Sequence, residues 1–345
     1  MKKRSIKTRI IISTLLLFGL IRCIDDNITP PLTGDLNSTA EMLVYFESLG
    51  DFPNNSLAPG LINADEVFAN IGNYDIVDIR TNSEFTSGHI ETAQNINIDS
   101  LYDYVKINYN LGSPKIIIVS QSGQSSAYFT CLLRLAGFDN VYSMKYGMAY
   151  WNIQFADEWI NEIGDTPDIN SYTNQIFEKS DPSLLPAVSF PDPEAPIKER
   201  VEYRIKEIFS FGFTYNEVYR YHLNPDLYTV CYGKSRLYNA PRDGVFGLRG
   251  HPQEAISYLD ATFYHFRSVN FLQTLPNSEE IMLYDYDGQL GACMTAYLRV
   301  LGYDVKFLLF GANQLFYSRM ITDVELMDFA FTSQGINNFP FVTGE

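Results

Sequence analysis

The sequence predicts an α/β protein made of two tandem, doubly wound parallel-sheet domains, and three observations carry that expectation. Short apolar runs, such as Lys115-Ile116-Ile117-Ile118-Val119, read as parallel strands covered on both faces. Amphipathic stretches lie between them and stop at glycine, as the run Ser126 to Leu135 stops at Gly137. The third observation is an internal repeat. Ser122-Gly123-Gln124-Ser125-Ser126-Ala127 aligns with Asp287-Gly288-Gln289-Leu290-Gly291-Ala292 at an offset of 165, and Leu133 to Phe138 aligns with Leu298 to Tyr303 at the same offset.

Residues 1–23 read as a lipoprotein signal peptide. Lys2, Lys3, Arg4, Lys7 and Arg9 precede an apolar stretch from Ile10 to Ile21 that is too short to serve as a mature membrane span. Leu20-Ile21-Arg22-Cys23 resembles a bacterial lipobox, with Arg22 where that motif has a small residue, and marks Cys23 as the lipidation site. The chain is therefore expected to be exported and held on the membrane by its N-terminal lipid, facing the periplasm or the cell surface. Residues 24–60 form a tether with Pro30-Pro31, then a short helix capped by Ser38 and Glu41 and stopped by Gly50.

The first domain is assigned to residues 61–160. Tyr74 to Asp78, Lys115 to Val119 and Val141 to Met144 are its strands. Residues 161–196 are a linker, because five prolines from Pro182 to Pro196 exclude both a helix and a central strand. The second domain takes residues 197–330 and opens with a charged amphipathic helix from Ile197 to Phe209. Glu66-Val67 and Glu217-Val218 are read as opening matching helices, and residues 331–345 are left as a C-terminal tail.

Composition bounds the function. The chain of 345 residues has 25 basic and 41 acidic side chains, a net charge of −16. Residues 1–23 hold six of the basic and none of the acidic residues, so the remainder carries 19 against 41, or −22. Such a surface repels phosphate backbones, which excludes nucleic acid as a partner. Cys131, Cys231 and Cys293 lie at wide spacings inside apolar segments and read as buried free thiols. The four histidines (His89, His222, His251 and His265) are scattered, so neither a zinc site nor any other cofactor is implied. Tyr284-Asp285-Tyr286-Asp287-Gly288 begins like a calcium loop but lacks the later ligands.

At these residues the chain resembles the rhodanese family of sulfurtransferases. The first copy carries Val77-Asp78-Ile79-Arg80, Glu84-Phe85, Gly88-His89-Ile90, Val119-Ser120-Gln121-Ser122-Gly123-Gln124-Ser125-Ser126, Arg134 to Phe138 and Gly147 to Trp151. The second copy keeps Gly250-His251, the Gly288 loop and Arg299 to Tyr303. The resemblance implies two rhodanese-like domains, with a persulfide-forming cysteine in the loop after each central strand. That position is Ser120 in the first copy and Asp285 in the second, and the family's loop arginine maps onto Ser125 and Leu290.

Without a thiolate neither loop can carry sulfane sulfur, so no catalytic residue is assigned. The first loop, Ser120 to Ser126 (Ser120, Gln121, Ser122, Gly123, Gln124, Ser125, Ser126), is a candidate cup for a small anion at a helix N-terminus. His89 and His251 are read as turn-fixing residues. The function expected is an inactive envelope lipoprotein that binds an unidentified protein partner or a small anion. The alternative is sulfur transfer through Cys231, at the end of a strand, or through a thiol supplied by a partner.

Overall fold

The computed structural model describes residues 37–50, 59–110, 112–165, 172–213, 218–219, 227–239, 250–258 and 265–344. The expected signal peptide, Cys23 and most of the tether lie outside the described residues. Among those described, no helix is long and apolar enough to cross a membrane.

Helix α1 (Ser38–Ser48) starts one residue earlier than its sequence suggests, because Asn37 is the cap and its side chain accepts from the Thr39 amide at 2.8 Å. This frees Ser38 and Glu41 from the expected capping box. The Ser38 hydroxyl donates to Val188 O at 2.6 Å, and Glu41 pairs with Arg200 at 2.5 Å, so the helix is pinned to the linker and to the helix that follows it.

The first domain runs β1 (Leu61–Ile62), α2 (Ala64–Ala69), β2 (Asp75–Asp78), α3 (Asn82–Ser87), β3 (Gln94–Asn95), α4 (Ile98–Asn108), β4 (Ile116–Val119), α5 (Gln124–Leu135), β5 (Val141–Met144), α6 (Met148–Trp151) and α7 (Asp157–Glu162). Its five strands are all parallel in the order β1-β5-β4-β2-β3. All four residues of the central strand β4 are buried, as a sheet covered on both faces requires.

After β6 (Tyr172–Thr173), residues 174–196 carry no helix or strand. The second domain follows as α8 (Ile197–Phe211), β7 (Val218–Tyr219), β8 (Tyr228–Cys231), α9 (Ser235–Tyr238), β9 (His251–Pro252), β10 (Ile256–Ser257), α10 (Val269–Leu272), β11 (Ile281–Tyr284), α11 (Gln289–Val300), β12 (Val305–Leu308), α12 (Ala312–Leu315) and α13 (Tyr317–Thr322). Its parallel sheet, read as β7-β12-β11-β8-β10, repeats the order of the first. The α/β class and the doubling of the sheet therefore both hold. Val218 departs from expectation: it belongs to a strand, not to a helix. It pairs beside β12 as β1 pairs beside β5, and strand-favouring Val and Tyr suit that edge.

The domains share one apolar core. Helices α5 and α11 pack on each other, and nearly every residue of both is buried, since each helix is enclosed by its own sheet and by its counterpart. The cluster passes from Ile118 through Phe129 and Leu132 to Met294, Leu298 and Leu283 without a break. The two domains also exchange their trailing segments. Beyond α7, Ser318 donates to Asp165 through its amide at 2.9 Å, and β6 pairs antiparallel with β9 of the second domain. The C-terminal stretch crosses the other way. Asn337 N donates to Tyr150 O at 3.0 Å, Phe339 N donates to Trp151 O at 2.9 Å, and His89 and Val342 exchange backbone hydrogen bonds at 2.9 Å. Residues 331–344 form a strap over the first domain, which their sequence did not disclose.

Candidate functional site

Each central strand runs into a loop that a left-handed glycine turns into the following helix. Gly123 has φ +84° and Gly288 has φ +80°. A side chain at either position would also collide. A Cβ on Gly123 would lie 2.7 Å from Gln289 Oε1, and one on Gly288 would overlap Gln124 Oε1.

Those contacts reveal what the loops do in this fold. Gln124 reaches across the domain boundary, where its Oε1 accepts from Phe310 N at 2.7 Å. Gln289 reaches back, and its Oε1 accepts from Tyr146 N at 2.8 Å. Tyr146 and Phe310 both have left-handed φ, 59° and 58°, and each is followed by a glycine. Both glutamines are fully buried. The two loops that the repeat places at equivalent positions therefore clasp one another. Gln124 and Gln289 occupy matching places in the two copies; that match is the one sequence signal of the clasp.

Inside the first loop, Ser120 takes the position that the amides surround. Its Oγ accepts from Gly123 N at 3.1 Å and Ser126 N at 3.3 Å and donates to Ser126 Oγ at 3.0 Å. Ser143 Oγ donates to Ser126 Oγ at 2.8 Å, completing a buried chain of three hydroxyls. Gln121 is tied outward, donating to Phe155 O at 2.7 Å and accepting from Arg80 at 3.2 Å. Arg80 is itself committed to Asp78 in a buried ion pair of 2.7 Å. Ser122 O accepts from the Trp159 indole at 3.0 Å, and Ser125 is half-buried.

In the second loop the carboxylate of Asp285 does the work of the Ser120 hydroxyl. Gly288 N donates to Asp285 Oδ1 at 2.7 Å, and the amides of Asp287 and Gly291 also face the group. Gly291 stands where the first copy has Ser126, and a Cβ there would lie 2.9 Å from Asp285 Oδ1. Oδ2 has no hydrogen-bond partner. Burial, followed by the neighbouring Asp287 charge, pushes the Asp285 carboxyl up to about 7, with the three amides opposing. Asp287 is raised by burial as well, against the pull of Lys145, and accepts from Gln289 through both its oxygens. Leu290 is half-buried and packs against the shared core.

The remaining candidates sit apart from a reactive geometry. Cys231 is fully buried at the end of β8, and burial pushes its thiol up to about 12, the opposite of a nucleophilic thiolate. The His89 ring stacks on Phe85 at 3.7 Å, with Nδ1 at 2.9 Å from Phe85 O. His251 stacks on Tyr238 at 3.6 Å, and burial lowers its pKa. Cys131 and Cys293, 162 residues apart, are brought together: Cys131 Sγ lies 3.0 Å from Cys293 O. No group of three or more potential metal ligands converges among the described residues.

Comparison with known proteins sets this geometry in context. Residues 63–154 match the profile of the rhodanese-like domain. Over 79 residues the chain is 33% identical to the thiosulfate sulfurtransferase GlpE of Shewanella oneidensis, covering 22% of this chain and 74% of that protein. The protein of the same name from Ectopseudomonas mendocina is 32% identical over 83 residues, or 24% of this chain and 74% of its own. Among solved structures, a rhodanese-related protein from Thermoplasma volcanium aligns with 28% identity over 29% of this chain and 90% of its own, with a TM-score of 0.23.

Proposed function

The chain belongs to the rhodanese-like family, and from that premise we propose that it is a catalytically inactive tandem member, tethered in the cell envelope by a lipid on Cys23, whose fold serves to bind a protein partner. The observation that carries this reading is the occupancy of both loops. Ser120 and Asp285 hold the position of the family's sulfur-bearing cysteine, and each satisfies the loop amides with its own oxygen.

A serine hydroxyl is protonated at neutral pH and accepts no sulfane sulfur, and a carboxylate offers none of the polarizability of a thiolate. Access is closed as well. Gln124 and Gln289 cross the mouths of the opposite loops, so a thiol supplied by a partner meets side chains packed in van der Waals contact. Cys231 is no substitute, because its buried thiol stays protonated. A small anion at Ser120 to Ser126 would have to displace the Ser120 hydroxyl from two amides and withdraw Gln289. A protein partner, which needs only the outer surface, asks for no such rearrangement.

The decisive assay is formation of thiocyanate from cyanide and thiosulfate. Purified protein is expected to run at the buffer rate, and turnover that Cys231→Ser abolishes would overturn the proposal. For the tether, metabolic labelling with an acyl-chain analogue is expected to be lost in Cys23→Ala, and a mature N-terminus elsewhere would contradict it.

A further inference from the structure

We propose that Cys131 and Cys293 form a disulfide that ties the two domains together when the folding chain meets an oxidising thiol–disulfide couple. The two thiols belong to different domains, one on α5 and one on α11, and these are the helices that pack most closely across the domain boundary. Cys131 Sγ is 3.0 Å from the carbonyl oxygen of Cys293. That contact lies between the two helices packed on one another, so the two cysteines stand side by side across the domain boundary. The Cys293 thiol is in turn near enough that, after burial, it is the next influence raising the Cys131 thiol above its ordinary range. Cys231 lies in a separate apolar cluster with Tyr284 and Tyr238, away from both.

The reaction balances as thiol–disulfide exchange. One cysteine thiolate attacks a small-molecule disulfide, forming a mixed disulfide and releasing one small thiolate. The second cysteine thiolate then attacks the protein sulfur of that mixed disulfide, the Cys131–Cys293 bond forms, and the second small thiolate leaves. Two protein thiols are oxidised, one small disulfide is reduced, and two protons pass to solvent. Both cysteines are fully buried in the finished fold, so exchange belongs to the stage before the helices close. Once made, the bond is shielded from reductant by the same packing. An exported chain would meet such a couple, but neither the chemistry nor its test depends on export or on catalytic inactivity.

The full chain, unfolded in denaturant with reductant, would be refolded in a mixture of reduced and oxidised glutathione, alkylated under denaturing conditions, digested and mapped by mass spectrometry. The expected product is one cross-linked peptide pair joining Cys131 to Cys293, with Cys231 alkylated. The pair is expected to be absent from chain held in denaturant in the same glutathione mixture, and from Cys293→Ser, in which Cys131 would carry the alkyl group. Alkylation of both Cys131 and Cys293 in refolded protein, pairing of either with another cysteine, or equal cross-linking in denaturant would each overturn the proposal.

Discussion

In the first domain the strand-to-helix loop closes around a hydroxyl; in the second the same loop closes around a carboxylate. Ser120, Ser126 and Ser143 fill one with a chain of small polar groups. In the other the equivalent positions are Asp285, Gly291 and Phe307, and the longer acid fits because Gly291 has no side chain. Between the pairs Ser120–Ser126 and Asp285–Gly291, volume is conserved while charge is not. The comparison teaches that once a loop of inward-facing amides is buried, some oxygen must accept from them, because an unpaired amide costs about 1–3 kcal/mol. Two different residues meet that demand, and both do so with oxygen.

Exchanging the fillings gives the largest expected effect. Ser120→Asp alone should cost about 4 kcal/mol, because a carboxylate would enter a buried site already shared with the Ser126 side chain. Adding Ser126→Gly, the second domain's own solution, should recover half of that loss or more in chemical denaturation. Equal stability of the single and double variants would show that the two loops are not volume-matched.

The clasp comes next. Gln289→Ala and Gln124→Ala each leave a buried backbone amide, Tyr146 N or Phe310 N, without its acceptor, and each should cost about 2 kcal/mol. A cost confined to one of the pair would show that the clasp is not symmetric.

A smaller effect distinguishes the loops by pH. The Asp285 carboxyl is raised to about 7 in the fold, from an ordinary value near 4 when unfolded. Between those values the folded chain holds a proton that the unfolded chain has lost, so stability falls as pH rises from about 4 to about 7 and then levels off. Asp285→Asn keeps an oxygen for Gly288 N and removes the share of that slope due to Asp285, and should stabilise the protein by about 1 kcal/mol or more at pH 8. Ser120→Asn carries no such expectation, since a serine does not titrate there.

The least effect on stability is expected for Ser120→Cys, under about 1 kcal/mol, because the exchange is nearly isosteric. It should also leave thiocyanate formation at the buffer rate. The new thiol would be buried beneath Gln289 and held protonated, so a family nucleophile restored to its place does not restore its surroundings.

What was legible in the sequence is what local chemistry determines. The all-apolar β4, the glycine that ends α5 and the strand–loop–helix unit that recurs in the second copy each follow from residues close together in the chain. The 165-residue offset showed that Gln124 and Gln289 correspond, but not that each accepts from the other domain. Partners across a domain boundary are chosen by tertiary geometry, which leaves no mark on spacing. The same reason hides the Cys131–Cys293 contact, the strap of residues 331–344 over Tyr150 and Trp151, and the release of Ser38 and Glu41 to long-range partners. Val218 was misread because the second copy keeps the place of its edge strand but not the spacing of the first.

The central claim is that both loops are closed by one another and are not open cups, and hydrogen exchange at four amides tests it most directly. Gly123 N, Gly288 N, Tyr146 N and Phe310 N donate to Ser120, Asp285, Gln289 and Gln124 respectively. All four are expected to exchange only through global unfolding, at the rate of the α5 and α11 core amides and unchanged by added thiosulfate. Fast exchange at Gly123 or Gly288, slowed in a saturable way by thiosulfate, would show a solvent-open, ligand-binding loop and contradict it.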